Sequence, residues 1–401
     1  MKFGKEFSKN IIGVFTGNIT AQILNISSVL ILTKVLGVSD FGGYSVFIAY
    51  STILSSICVL TYEKSIPNQR SFQIFDYVCA LLLVSAVYAI LIYILLAFTK
   101  YEYSVFVALY VFSIAINKVM CMLSLRYKRF MFINYLRTIP AMLFFLAILF
   151  NWIVEWINLN NTIVLFVAIN IISLFFGLPL FKELESQRRE INVFRMLRLL
   201  KMENGFPKWV APSEIMNRLA YYFPTLIIDK FFGPGSAGQY SLTLRVCFSP
   251  ISLITSSVGQ VFQSHLAQHN REGKERQGLL TKSFIMKTIV LSSAITLIFY
   301  FIVPILVGLV FGNEWSEAIF YIKTLSPLFG LMAVVTPLTT AFHVYRKNVD
   351  VMVQQGMLLV ISLFSFGIAW YANNLIVGIA IFSVLSSLRY VYLLYVLRKF
   401  L

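Results

Sequence analysis

Four cations and one carboxylate fall deep inside otherwise apolar stretches of this 401-residue chain: Lys118, Arg218, Arg245, Arg389 and Glu214. A charge held in hydrocarbon costs at least about 2.5–3.5 kcal/mol on insertion scales, so a surplus of cations there needs compensation. Ammonium and guanidinium groups are natural ligands for phosphate, and an interior with more cations than acids suits a phosphate or diphosphate. Export of organic cations would call for intramembrane carboxylates instead and is disfavoured. Glu214 lies four residues before Arg218, a spacing at which a helix can neutralise both. A lone carboxylate in a desolvated setting is equally a candidate for ion coupling.

The remaining reactive side chains carry less. Cys58, Cys79, Cys121 and Cys247 lie in apolar runs without metal-ligand spacing, as small packing residues do. His265 and His269 have the four-residue spacing of a helical metal pair, but no third ligand lies nearby. They are expected to be solvated in a polar loop. Neither a Gly-rich nucleotide loop nor an acidic metal cluster occurs, so no metal or other cofactor is expected.

The elements that position these charges follow from composition. Hydrophobic residues make up 59% of the chain and charged residues 12%, with a mean hydropathy of +0.80. A soluble domain carries about 25% charged residues, so a water-soluble fold is excluded. About 20 apolar helical residues cross a bilayer, whereas barrel strands give weakly alternating segments of about 10. Runs such as 77–99, 156–181, 288–313 and 351–388 contain no Asp, Glu, Lys or Arg, which predicts an all-α integral membrane protein. Twelve spans are expected, near 11–32, 43–62, 75–97, 104–124, 138–156, 162–181, 207–230, 239–262, 283–311, 319–343, 351–372 and 375–397. Asn18, Thr20, Gln22 and Asn25 interrupt the first run, so it is expected to be retained and not cleaved as a signal sequence.

The net charge of +16 raises the question of a nucleic-acid partner. Placement answers it. With the N-terminus inside, Lys2, Lys5, Lys9, Lys64, Arg70, Arg126, Lys128, Arg129, Arg188, Arg189, Arg195, Arg198, Lys201, Lys274, Arg276, Arg346, Lys347, Arg398 and Lys399 all fall on the inner side. Outer loops hold Lys34, Lys100 and Lys230 among Asp40, Glu102, Glu155, Glu314 and Glu317. The positive-inside rule then puts both termini in the cytoplasm, and no nucleic-acid partner is needed.

A repeat divides the chain. Lys34, Gly37, Gly42, Tyr44 and Ser45 return 196 residues later as Lys230, Gly233, Gly238, Tyr240 and Ser241. Each copy joins the first two helices of a half, and six helices per half make the halves parallel repeats about an axis along the membrane normal. The organisation expected is two pseudo-symmetric six-helix lobes, 1–181 and 207–401, joined by a cytoplasmic amphipathic linker, 182–206. That linker is read as an interfacial helix, with a partner-binding helix as the alternative. At the same offset, Asn18, Gln22, Asn25 and Thr33 on the first helix answer to Glu214, Arg218, Tyr221 and Asp229 on the seventh, with Val29 opposite Thr225. Steps of three and four residues place each set on one helix face. These faces are expected to line a wet cavity or the other lobe, where Lys118, Arg218, Arg245 and Arg389 would bind the anion; packing against neighbouring helices is the simpler alternative.

Thr33-Lys34-Val35-Leu36-Gly37-Val38-Ser39-Asp40-Phe41-Gly42-Gly43-Tyr44, together with Phe311-Gly312-Asn313-Glu314-Trp315, resembles the turns of Wzx-type O-antigen and capsule repeat-unit flippases. These belong to the polysaccharide-export branch of the multidrug/oligosaccharidyl-lipid/polysaccharide superfamily. Lys34 stands where that family often has Arg, so no ligand role is carried over to it. The resemblance implies a transporter, not an enzyme, that moves undecaprenyl-diphosphate-linked oligosaccharide across a bacterial cytoplasmic membrane by alternating access. Its partners would be that lipid-linked substrate, membrane lipids and other polysaccharide assembly proteins. A lipid II flippase and a membrane-bound oligosaccharide polymerase are the competing readings; the former usually has two further helices, and the latter a large non-membrane domain.

Overall fold

The computed structural model describes residues 2–69, 73–127, 129–185, 192–271, 282–345 and 347–400. The side chain of Asn18 and those of His265 and His269 lie outside the described residues, as do Arg70, Lys128, Arg188, Arg189, Lys274, Arg276 and Arg346. Helices run α1 (Lys2–Ser55), α2 (Ile74–Phe98), α3 (Ser104–Arg126), α4 (Phe130–Ile153), α5 (Leu159–Ile172), α6 (Leu178–Glu185) and α7 (Val193–Met202). They continue as α8 (Ala211–Phe232), α9 (Pro234–Thr243), α10 (Ser249–Arg271), α11 (Lys282–Leu297), α12 (Val303–Phe311), α13 (Ser316–Leu338), α14 (Ala341–Val344), α15 (Asn348–Tyr371) and α16 (Leu375–Phe400). No strand occurs among the described residues. Nine helical segments among them are long and apolar enough to cross a membrane. The chain is therefore a multi-pass membrane protein, and its lipid-facing positions, such as Leu83, Val87, Ile90 and Leu95 on α2, are exposed apolar residues.

Two expectations about helix ends are corrected. The second predicted span stops at Ser55 instead of continuing to 62, because the backbone turns through left-handed Leu60 and Thr61 (φ 49° and 59°). His265 and His269 sit on α10 and not in a loop, since that helix continues to Arg271.

The chain forms two compact units. The first is Met1–Leu36 with Val46–Arg218; the second is Gly37–Ser45 with Leu219–Leu401. In the first, α3 packs against α2, α4 and α5, and α7 lies on α2 with Met196 and Leu199 buried. In the second, α13 is the central helix: Ile322, Leu325 and Phe329 are buried among neighbours that include α9, α10, α11 and α16.

Glycines fix the sharp breaks. Gly37 (φ 69°, ψ −179°), Gly233 (φ 89°, ψ 165°) and Gly312 (φ 87°, ψ −179°) share a backbone region that only glycine occupies at low cost. The repeat-related turns then meet inside the second unit. A Cβ on Gly42 would lie 1.8 Å from the Pro234 carbonyl oxygen, and one on Gly238 would lie 2.6 Å from the Val38 carbonyl oxygen. Val38 and Pro234 are themselves 196 residues apart, so the two contacts exchange under the repeat, as contacts across a local twofold do. The second resembling motif joins the same contact. Phe41 meets the edge of Trp315 with centroids 5.5 Å apart, while Gln239 donates to the Glu314 carbonyl at 2.6 Å and accepts from the Ala318 N–H at 3.0 Å.

Candidate functional site

Within the first unit, the chemistry centres on the irregular segment between α1 and α2. Residues 58–66 are almost wholly buried although the backbone there is not α-helical. Buried non-helical backbone needs its carbonyls satisfied from elsewhere, and two cations of α3 supply the donors. Lys118 donates from Nζ to the carbonyls of Ser55 and Ser56, at 2.9 Å each. Arg126 donates from Nη1 to the carbonyls of Ile66 and Gln69, at 3.1 and 2.5 Å. Tyr77 of α2 donates to the Tyr62 carbonyl at 3.1 Å.

The same segment is stitched to the chain that follows α7. Thr61 donates to the Phe206 carbonyl at 3.2 Å, Gln69 donates to Glu203 at 2.7 Å, and Lys64 pairs with Glu214. Glu214 therefore has Lys64 as its ion-pair partner; the pairing with Arg218 expected from helical spacing does not form, and Arg218 is exposed. A tertiary partner displaces the local one. On α2, Asp76 accepts from Arg195 of α7 at 3.0 Å.

Two buried acids were not legible as deep charges in the sequence. Asp76 is 1% exposed and Glu63 is 2% exposed. Both border apolar runs, which reads as an interface position until packing closes over them. Oε2 of Glu63 has no hydrogen-bond partner. Burial pushes the Glu63 carboxyl above its ordinary range, and the nearby Lys118 ammonium opposes that shift.

In the second unit, Arg245 lies with its guanidinium 5.3 Å from the Phe41 ring centroid and 5.1 Å from that of Tyr44, a cation–π arrangement. Arg389 is 6% exposed, donates from Nε to the Gln354 carbonyl at 3.1 Å, and lies over the Tyr390 ring. Lys118, Arg245 and Arg389, which sequence reasoning left without partners, are thus held by carbonyls and aromatic faces, which apart from Tyr390, the neighbour of Arg389, come from other segments. Nη2 of Arg245 and Nη1 of Arg389 nevertheless remain without an acceptor.

The polar faces divide. Gln22 is half-buried and Asn25 exposed, whereas Tyr221 and Thr225 are buried in the second unit, with Tyr221 against Phe248 at 4.7 Å between centroids. Of the four cations, Lys118 and Arg218 belong to the first unit, Arg245 and Arg389 to the second.

Comparison with known proteins gives this arrangement a context. Residues 186–320 match the model of a family described as polysaccharide biosynthesis protein. The succinoglycan biosynthesis transport protein ExoT of Rhizobium meliloti (strain 1021) is 27% identical over 161 residues, which make up 39% of this chain and 31% of that protein. The matched part thus spans about a third of that relative's length. Among solved structures, the lipid II flippase MurJ in an inward closed conformation is similar at a TM-score of 0.70 and 12% identity, covering 96% of this chain and 86% of that one. An inward-facing multidrug resistance MATE family transporter of the MOP superfamily is similar at a TM-score of 0.60 and 13% identity, covering 98% and 93%. These structural likenesses establish a shared fold, and the chain combines that fold with a sequence match to polysaccharide biosynthesis proteins, which supports its resemblance to polysaccharide flippases.

Proposed function

We propose that the protein is a flippase that carries an oligosaccharide, joined through a diphosphate to undecaprenol, across the cytoplasmic membrane of a bacterium by alternating access. The observation that carries this reading is the polysaccharide biosynthesis match over 186–320 in a chain whose whole length follows a transporter fold. The finer architecture belongs to the same proposal: twelve spans, two six-helix lobes related by the repeat, and both termini in the cytoplasm. The Gly42 and Gly238 contact supports the repeat at the level of its two turns.

Lys118, Arg218, Arg245 and Arg389 are the proposed diphosphate ligands, with Asn18, Gln22, Asn25, Glu214, Tyr221 and Thr225 as cavity residues. The unfilled donors on Arg245 and Arg389 support this role, because a guanidinium with a free N–H can donate to a phosphate oxygen without abandoning its protein partners. Membrane lipids and polysaccharide assembly proteins are the further partners expected.

The test is a deletion strain in which lipid-linked oligosaccharide is quantified and its leaflet distribution measured. Accumulation in the inner leaflet, reversed by the intact gene, is expected. A lipid II flippase is the second reading, favoured by the likeness to MurJ. Accumulation of lipid II in place of the oligosaccharide would select it.

A further inference from the structure

Among the described residues Glu63 forms no direct ion pair, although charges surround it. Lys64, beside it, pairs with Glu214 of α8, and Lys118 of α3 directs its ammonium at the Ser55 and Ser56 carbonyls. Glu63 itself is 2% exposed, and its Oε2 meets no donor. It lies between the spanning segments Ile19–Ser55 and Ile74–Phe98. The titratable groups around it are Cys58, Tyr62 and Lys64 from its own segment, Tyr77 from α2, Lys118 from α3 and Glu214 from α8.

We propose that Glu63 is a proton-binding site of the first unit, and that protonation weakens the hold of Lys118 on the end of α1. Two opposed forces poise the group. Removing a carboxylate from water favours its neutral form, while an ammonium nearby favours its charged form. Burial is the larger influence here, so the carboxyl takes up its proton more readily than an exposed glutamate does. With Glu63 ionised, its charge balances Lys118, while Lys64 and Glu214 balance each other. With Glu63 protonated, the half-buried Lys118 loses that counter-charge. The ammonium then gains by turning toward water, which frees the Ser55 and Ser56 carbonyls and loosens the junction between α1 and the segment after it. No bond other than O–H is made or broken, and the proton comes from solvent. The inference concerns the first unit alone and does not depend on which lipid-linked substrate is carried.

The experiment uses the full chain in lipid nanodiscs. Infrared difference spectra recorded across a pH titration should contain a protonated-carboxyl band that disappears in Glu63→Gln and persists in Glu214→Gln. At one fixed pH near neutrality, hydrogen exchange of backbone amides in 54–62 should be about tenfold faster in Glu63→Gln, which mimics the protonated form, than in wild type. Should Glu63→Gln fail to yield monodisperse protein, Glu63→Asp takes its place in the infrared arm, and the band should shift in frequency. Lys118→Gln then serves the exchange arm, with the same acceleration expected. A band that neither substitution at Glu63 alters, or exchange in 54–62 no faster than wild type, would overturn the proposal.

Discussion

Replacing Gly42 with alanine tests the turn-on-turn contact at its tightest point. The new methyl would lie 1.8 Å from the Pro234 carbonyl oxygen, against the 3.4 Å at which ordinary contacts begin, so the two backbones must separate by about 1.6 Å. Neither neighbour is a flexible side chain end, and both segments also hold the Phe41–Trp315 contact and the Gln239 hydrogen bonds. Overpacking of this kind costs about 1–3 kcal/mol, offset by about 0.5–1 kcal/mol that alanine gains over glycine within a helix. The net expectation is a loss of about 1–2 kcal/mol. Gly238→Ala requires a retreat of only about 0.8 Å, from 2.6 Å to 3.4 Å, and should cost less. Gly235→Ala is the control: its methyl would meet the Val38 side chain at an ordinary 3.8 Å and should not destabilise. Because Gly42 and Gly238 face one another, the first substitution opens the crossing for the second, and the double variant should lose less than the sum. Thermal unfolding of purified protein in one detergent, followed by tryptophan fluorescence, measures all four variants. A Gly42→Ala melting point equal to wild type, or a double variant whose loss is the full sum, would refute the close-packed contact.

Further outcomes follow from the charged contacts. Lys64→Gln and Glu214→Gln in a double-mutant cycle should yield a coupling of only about 0.5–1 kcal/mol, since both side chains are about a third exposed to solvent; a coupling near zero in unfolding experiments would deny the pair. Arg195→Ala leaves the buried Asp76 carboxylate without its cation and should cost about 1–3 kcal/mol, while the Asp76→Asn and Arg195→Ala double variant should recover part of that loss; no recovery would show that Arg195 acts by packing alone. Transport of lipid-linked oligosaccharide should rank wild type above Lys and Lys above Ala at Arg218, Arg245 and Arg389, because Lys keeps the charge and loses the planar fork. Full activity of normally abundant alanine variants at two of these positions would remove the diphosphate role. In a variant without the native cysteines, a single cysteine at Glu102, Asn160 or Glu314 should react with an impermeant thiol reagent applied outside intact cells, and one at Lys201 should not. Labelling at Lys201 would reverse the orientation.

The sequence by itself determined that this is a helical membrane protein and where most of its helices lie. Membrane helices satisfy their backbone within one segment, so length and apolarity are local and can be read directly. The glycine breaks are legible for the same reason, since a positive-φ turn is a property of one residue: Gly37 and Gly233 recur at the repeat offset and both take positive φ. Charge partners were another matter. Helical spacing pointed from Glu214 to Arg218, but Lys64, 150 positions away in the chain, takes Glu214. Lys118, Arg245 and Arg389 looked unsatisfied because the carbonyls of Ser55, Ser56 and Gln354 and the rings of Phe41 and Tyr44, brought in from other segments, leave no mark at those positions. Glu63 and Asp76 were hidden by the reverse effect: at the margins of apolar runs they read as solvated, and only the packing of α2 and α3 on the segment of Glu63, and of α7 on α2 beside Asp76, removed the water. A hydrophobic pattern fixes which segments enter the membrane, whereas burial and pairing of a charge depend on what lies across from it, and that was decided by the tertiary structure.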